Sequence, residues 1–290
     1  MSEFSGLITA MVTPFSDDGA VDLDAARRIA THLVESGSSG VVVSGTTGES
    51  PTLSDTEKLA LLDAVLGEIG DRARVICGTG SNDTAHTVDL SRSAVASGAH
   101  GLLVVAPYYN RPNRAGLLSH FGSVAESVDC PIVVYNIPSR TGVNIPVELL
   151  AEIGEAENVV AVKQANDAEI ERVPGLDLLA GNDDSYLQCL EAGGVGGILV
   201  ASHLVGERMK KIFDLATGGD LAAAREEEAQ LHDLFKALSV TTNPIPIKAA
   251  LELIGLCGGT MRLPMVEASA EERAAVESAL LGMDLLKAVE

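Results

Sequence analysis

Tryptophan is absent, and aromatic residues of all kinds make up 3% of the chain. Any core must therefore be built from Ala, Val, Leu and Ile, and hydrophobic residues at 46% are numerous enough to build one. Basic residues are also few. Against 20 Lys and Arg stand 41 Asp and Glu, a net charge of −21. A polyanionic surface repels phosphate backbones and anionic lipid, which argues against nucleic acid and membrane surfaces as partners. The acidic residues are scattered through helical stretches, as in Glu226-Glu227-Glu228 and Glu271-Glu272, and read as a solvated face. A salt-adapted host would produce the same balance.

The four cysteines, Cys77, Cys130, Cys189 and Cys257, form no CxxC pair. The six histidines show no HxH or HExxH spacing. Neither a metal site nor a redox motif is signalled, and no cofactor is expected. No apolar run has membrane-spanning length, and no basic residue precedes the apolar part of the N-terminal segment MSEFSGLITAMVTPF. These absences predict a soluble, reduced, cytoplasmic protein.

What is present is an alternation. Strand-like apolar runs occur at Gly6–Pro14, Gly40–Gly45, Arg74–Gly80, Gly101–Tyr109, Pro131–Pro138, Val159–Ala165, Asp177–Asn182 and Gly196–Ser202. Amphipathic stretches lie between them. Asp22–Glu35 is one, a second follows the capping box Ser54-Asp55-Thr56-Glu57, and a third runs from Asn82 or Asp83 to Ser97. Eight strands, each followed by a helix, predict an α/β protein with a (β/α)8 barrel over residues 1–219. The alternative, a doubly wound open sheet, would want a glycine-rich turn after the first strand, where Thr13-Pro14-Phe15 stands instead. Beyond residue 219 the pattern is helical only, at Asp220–Ser239, Asn243–Gly255 and Ser269–Val289, which predicts a C-terminal helical extension over residues 220–290.

Of the seven lysines, only Lys163 falls inside an apolar strand run, Asn158-Val159-Val160-Ala161-Val162-Lys163; the others read as helical. Alternation along a strand puts Lys163 on the face of Val159 and Ala161. A poorly solvated ammonium has a lowered pKa, and a neutral amine can attack a carbonyl to form a Schiff base. A structural lysine paired with a carboxylate is the competing reading. Barrel enzymes place their chemistry at the C-terminal ends of strands. Those ends here carry Gly45-Thr46-Thr47-Gly48-Glu49, Tyr108-Tyr109, Tyr135-Asn136-Ile137-Pro138-Ser139-Arg140, Asn182-Asp183 and Gly196-Gly197-Ile198. Tyrosine and threonine hydroxyls can relay protons, and the Arg140 fork suits a carboxylate. Each has a plainer reading too. Thr46 and Thr47 can cap a turn, the paired tyrosines can pack the rim, and Arg140 can sit in a structural ion pair. Asp183 reads better as a helix N-cap than as a metal ligand.

At these residues the chain resembles the dihydrodipicolinate synthase family, within the pyruvate-dependent class I aldolases that include N-acetylneuraminate lyase. The likeness runs from Gly6-Leu7-Ile8-Thr9-Ala10 through the threonine turn, the Tyr135–Gly142 segment and the lysine strand to Asn243-Pro244-Ile245-Pro246-Ile247-Lys248. It implies that Lys163 forms a Schiff base with pyruvate and that Tyr135 donates and accepts protons. Thr46 and Tyr109 would complete a relay, with Tyr109 supplied by a neighbouring subunit. Thr47 and the backbone at Ile198 would hold pyruvate, and Arg140 would bind the carboxylate of L-aspartate 4-semialdehyde. The implied assembly is a homotetramer, a dimer of dimers, and the implied step opens the diaminopimelate and lysine branch. A lyase acting on a sugar acid is the runner-up, and a non-catalytic metabolite-binding paralogue is a third reading. The resemblance also implies weak or absent inhibition by lysine. His86 stands where regulated relatives carry an acid, and Asp55 and Lys58 stand where histidines are common.

Overall fold

The computed structural model describes residues 2–286. Eight parallel strands close into a barrel in sequence order. They are β1 (Gly6–Ala10), β2 (Gly40–Val43), β3 (Arg74–Gly78), β4 (Gly101–Val105), β5 (Ile132–Asn136), β6 (Val159–Gln164), β7 (Asp177–Ala180) and β8 (Gly196–Leu199). The helices α1 (Leu23–Glu35), α2 (Asp55–Ile69), α3 (Thr84–Ala96) and α4 (Arg114–Ser127) follow the first four strands. Next come α5 (Pro138–Thr141), α6 (Val147–Ile153), α7 (Tyr186–Glu191) and α8 (Ser202–Thr217). Then α9 (Leu221–Ala229), α10 (His232–Leu238), α11 (Ile245–Leu253) and α12 (Ala270–Gly282) follow without intervening strands.

The helix starts obey local chemistry. Asp22, Asp83 and Asn113 each accept a backbone N–H from the first turn of their helix, and Ser54 with Glu57 makes the reciprocal capping box read from the sequence. The expected strands are longer than the observed ones mainly at their C-terminal ends. There the chain leaves the barrel as loops, and those loops carry the polar residues. One expected helix is missing. Between β6 and β7 there is only a 3-10 turn, Asp167–Glu169, because Pro174-Gly175 closes a connection too short for a further helix. The single helix expected over 220–239 breaks at Gln230-Leu231 into α9 and α10. In the expected helix Ser269–Val289, helical structure ends at Gly282, and residues 287–289 lie outside the described part.

Two apolar clusters fill the fold. One lies between strands and helices. The other fills the barrel and includes Phe4, Ile8, Val42, Ile76, Val133 and Ala161. The Phe4 ring plugs the lower end, where only a glycine fits at 101, since a Cβ there would strike the ring. The expected face of β6 needs one correction. Ala161 points inward with Lys163, but Val159 belongs to the outer cluster. The register with β5 slips between Ile132 and Val133, pairing them with Val159 and Ala161 and leaving Val160 as a bulge. A bulge inserts one residue and reverses the alternation before it.

Two glycine substitutions separate backbone crowding from helix propensity. A Cβ on Gly78 would collide with the Ser44 carbonyl, whereas Gly67 is exposed within α2 with no atom near its missing Cβ. Gly78→Ala should destabilise by about 1–3 kcal/mol through overpacking. Gly67→Ala should stabilise by about 0.5–1 kcal/mol. Thermal or urea unfolding of both variants checks the opposite signs.

Candidate active site

Strand pairing sets the centre of the site. Tyr135 and Lys163 are directly opposed in the β5–β6 register. Both point into the top of the barrel, and the Lys163 Nζ lies 4.3 Å from the centre of the Tyr135 ring. Lys163 is 5% exposed and its ammonium finds no hydrogen-bond acceptor or ion-pair partner among the described residues. Burial therefore lowers its pKa to about 7; the Asp183 carboxylate works the other way and the Arg140 guanidinium adds to the fall. Tyr135 is pushed up to about 12 by burial, with Arg140 and the Thr46 hydroxyl opposing that rise. The phenol is thus protonated at neutral pH, beside an amine of which a substantial share is neutral there.

Lys163 is not the only buried lysine. Lys58 on α2 and Lys248 on α11 are buried as well, which strand-like surroundings alone did not reveal. Their ammonium groups are committed. Lys248 donates to Glu49 Oε1 at 2.5 Å and to the Thr260 carbonyl at 2.7 Å. Lys58 has Asp55 at 3.8 Å. Only Lys163 of the three has no acidic group within ion-pairing distance.

A chamber of about 230 Å³ contains Lys163, Tyr135, Thr46, Thr47 and Arg140 together. It shares Thr46, Tyr135, Ile137 and Arg140 with a larger cleft of about 740 Å³. The Thr47 hydroxyl is held by the Asn243 side chain, whose Nδ2 donates to it at 3.0 Å. Arg140 sits at the exposed rim on α5. It makes no ion pair with a described residue; one of its nitrogens donates to the Asn243 carbonyl at 3.0 Å, leaving the other donors for a ligand. Asn243 thus joins the two groups expected to hold the two substrates. The Asn-Pro-Ile-Pro motif containing it was visible in the sequence, but nothing there placed it at the barrel mouth.

Asp183 is not the expected helix N-cap, a position that Ser185 takes for α7. Its Oδ1 accepts the N–H groups of Val200 and Ala201, just ahead of α8, at 2.9 and 3.0 Å. Burial raises its pKa to about 6 against the pull of those amides. Ile198 is fully buried in β8, in register with Ile8; Val200 is the residue past the end of that strand that lines the chamber. Tyr109 is 89% exposed, with a left-handed φ of 72°. It borders the larger cleft, whose wall also includes Thr46 and Tyr135, but it does not line the chamber that holds Lys163. In the same cleft His86 Nε2 meets both Asp55 oxygens, at 2.8 and 3.0 Å.

Among the described residues no group of three His, Cys, Asp or Glu side chains is placed to hold a metal. None of the described helices is long and apolar enough to cross a membrane.

The model of the dihydrodipicolinate synthetase family matches residues 3–282. The 4-hydroxy-tetrahydrodipicolinate synthase of Moorella thermoacetica is 46% identical over 98% of this chain and 100% of its own. That of Heliobacterium modesticaldum is 47% identical over 94% of both. Among solved structures, dihydrodipicolinate synthase from Aquifex aeolicus superposes with a TM-score of 0.95 at 39% identity, covering 98% of this chain and 100% of its own. The Cyanidioschyzon merolae enzyme, solved with lysine bound, has a TM-score of 0.96 at 36% identity, covering 99% of this chain and 100% of its own.

The electrostatics predict a pH signature. Acylation of Lys163 by a neutral amine-selective reagent should rise through about pH 7 and then level off, as its lowered pKa requires. Asp183→Asn removes the charge that favours the ammonium while keeping an oxygen for the two amides. The midpoint should then move to lower pH. Peptide mapping across a pH series measures it, and a shift toward higher pH would contradict the assigned role of Asp183.

Proposed function

The chain belongs to the dihydrodipicolinate synthetase family, and from that premise we propose that it condenses pyruvate with L-aspartate 4-semialdehyde through a Schiff base on Lys163. The reaction opens the diaminopimelate and lysine branch. The observation that carries the Schiff-base reading is the unpaired Lys163 amine, buried above the Tyr135 ring with a pKa near 7.

The neutral Nζ attacks C2 of pyruvate, and the carbinolamine loses water to give the imine. Tyr135, protonated and adjacent, supplies the proton for the departing hydroxyl and takes one back in the return step. Thr47 and the β8 backbone at Ile198 hold pyruvate. The Tyr135 phenolate left by the loss of water takes a methyl proton from the protonated imine, giving an enamine whose carbon attacks the aldehyde of the second substrate. Arg140, with guanidinium donors free at the rim, binds that substrate's carboxylate. Its own amino group then attacks C2, closing the ring and releasing Lys163. The same arginine favours this reaction over cleavage of a sugar acid.

The expected trapping result is direct. Pyruvate with borohydride should inactivate the enzyme and leave a reduced adduct on Lys163. Peptide mapping decides it; a label on Lys248, or none, removes the Schiff-base assignment.

The exposed Tyr109 is assigned to a neighbour's relay, within a cytoplasmic tetramer built as a dimer of dimers. Tyr109→Phe and Lys163→Ala, each nearly inactive alone, should partly recover activity when mixed and allowed to exchange subunits. Verified exchange without recovery would place Tyr109 outside the relay.

Lysine should inhibit weakly or not at all. The Asp55 carboxylate already faces the His86 imidazole and the Lys58 ammonium, so little of its charge is left to attract the ammonium of a ligand. An inhibition curve at subsaturating pyruvate and millimolar lysine tests this. Strong saturable inhibition would show that another acceptor fills the role.

A further inference from the structure

Two sequence motifs remain only half explained by the chemistry above. The threonine turn ends in Glu49, and the Asn-Pro-Ile-Pro segment ends in Lys248. In the fold these two residues meet. Their side chains are each 1% exposed, and they form an ion pair at 2.5 Å. We infer that the Glu49–Lys248 pair is a positioning element of the pyruvate site, through which the C-terminal helices hold the Thr46–Thr47 turn above Lys163. The inference rests on the assignment of Lys163 and Thr47 to pyruvate.

The turn needs an external hold. Glu49 has φ 53° and ψ 37°, the left-handed region that a non-glycine residue adopts only when its surroundings require it. Its N–H closes the turn onto the Thr46 carbonyl at 3.1 Å. From the barrel side, the Thr13 hydroxyl donates to the Gly48 carbonyl at 2.7 Å. From the other side, three hydrogen bonds come from residues after 242. Asn243 donates to Thr47, Lys248 to Glu49 Oε1, and the Arg262 N–H to Glu49 Oε2 at 3.2 Å.

The anchor behind Glu49 is itself fixed. Lys248 also donates to the Thr260 carbonyl, and its Nζ sits 4.2 Å from the centre of the Phe15 ring. The Arg262 guanidinium stacks on the same ring at 4.5 Å, donates to both Glu57 oxygens and reaches the Gly19 and Thr52 carbonyls. Loss of Lys248 would leave a carboxylate buried without its counter-ion. Such a group relaxes toward water, and in doing so it pulls on a backbone already held in the left-handed region. That movement starts two residues from Thr47 and three from Thr46. The ion pair between Arg208 and Glu227, which joins α8 to α9, has no such connection to the chamber and supplies the comparison.

The test uses the full chain with Lys248→Met, Glu49→Gln and, as control, Arg208→Ala. Thermal midpoint, the second-order rate of borohydride-trapped pyruvate adduct on Lys163, and KM for each substrate are measured. All three variants should lose stability. Only Lys248→Met and Glu49→Gln should slow adduct formation, on the order of tenfold to a hundredfold, since small misplacements of binding groups have effects of that size. Their pyruvate KM should rise more than their semialdehyde KM. Adduct formation at the wild-type rate in folded Lys248→Met or Glu49→Gln, with stability lowered as in Arg208→Ala, would overturn the inference. Glu49→Gln keeps the side-chain length and one oxygen for Lys248, so it decides the question if Lys248→Met does not fold. A wild-type enzyme that yields no adduct would strike the Schiff-base reading instead. The pyruvate KM of the variants then decides the role of the pair, and no rise in it would overturn the inference.

Discussion

A lysine amine taken out of water without a counter-ion is the constraint on which the site depends. Burial disfavours the ammonium, so the amine of Lys163 becomes a nucleophile near neutral pH. That state lasts only while no carboxylate takes hold of it. Asp183, the acid whose charge reaches Lys163, is half-buried and engages one oxygen with two backbone amides ahead of α8. The contrast with Lys248 is instructive. It is equally buried, on a helix, but Glu49 and the Thr260 carbonyl saturate its ammonium. Burial is common to both lysines, and pairing separates an anchor from a reactive group.

The barrel makes this arrangement rigid. Tyr135 and Lys163 are neighbours in a parallel register, and the residues after them, Asn136 and Gln164, are joined by a side-chain hydrogen bond at 3.0 Å. The Asn136 amide also holds the Asn144 side chain and the Ile145 backbone. The inward-facing reactive pair is thus backed by a satisfied polar network on the other side of the same two strands. The bulge at Val160 lies before this segment, so its extra twist does not disturb the register at the reactive pair.

Several features of the site depend on segments remote in sequence. The C-terminal segment closes the mouth of the barrel through Asn243, Lys248 and Arg262. Asn243 hydrogen-bonds to both Thr47 and Arg140. The outer cleft shows a related economy, with Asp55 set between His86 and Lys58. The Asp55 carboxylate meets the His86 imidazole at 2.8 Å and lies 3.8 Å from the Lys58 ammonium.

The alternation of apolar runs and amphipathic stretches was enough to determine the eight-stranded barrel, because strands buried on both faces leave continuous Val, Ile, Leu and Ala runs that little else produces. Lys163 stood out by the same logic, as did the hydroxyl-bearing turns at the strand ends. What the tertiary structure decided was contact between distant segments. It showed that two further lysines are buried, that Asp183 binds the amides of Val200 and Ala201 rather than capping the helix after it, and that Val159 faces outward across a bulge. It also showed the connection after β6 to be a 3-10 turn, and Tyr109 to stand in solvent away from the chamber. Apart from that turn, whose Pro-Gly signal is local, these features are not local. A one-residue bulge leaves no mark in composition. The partner of a buried charge lies as far along the chain as Glu49 is from Lys248, and propensity and periodicity report only on neighbours.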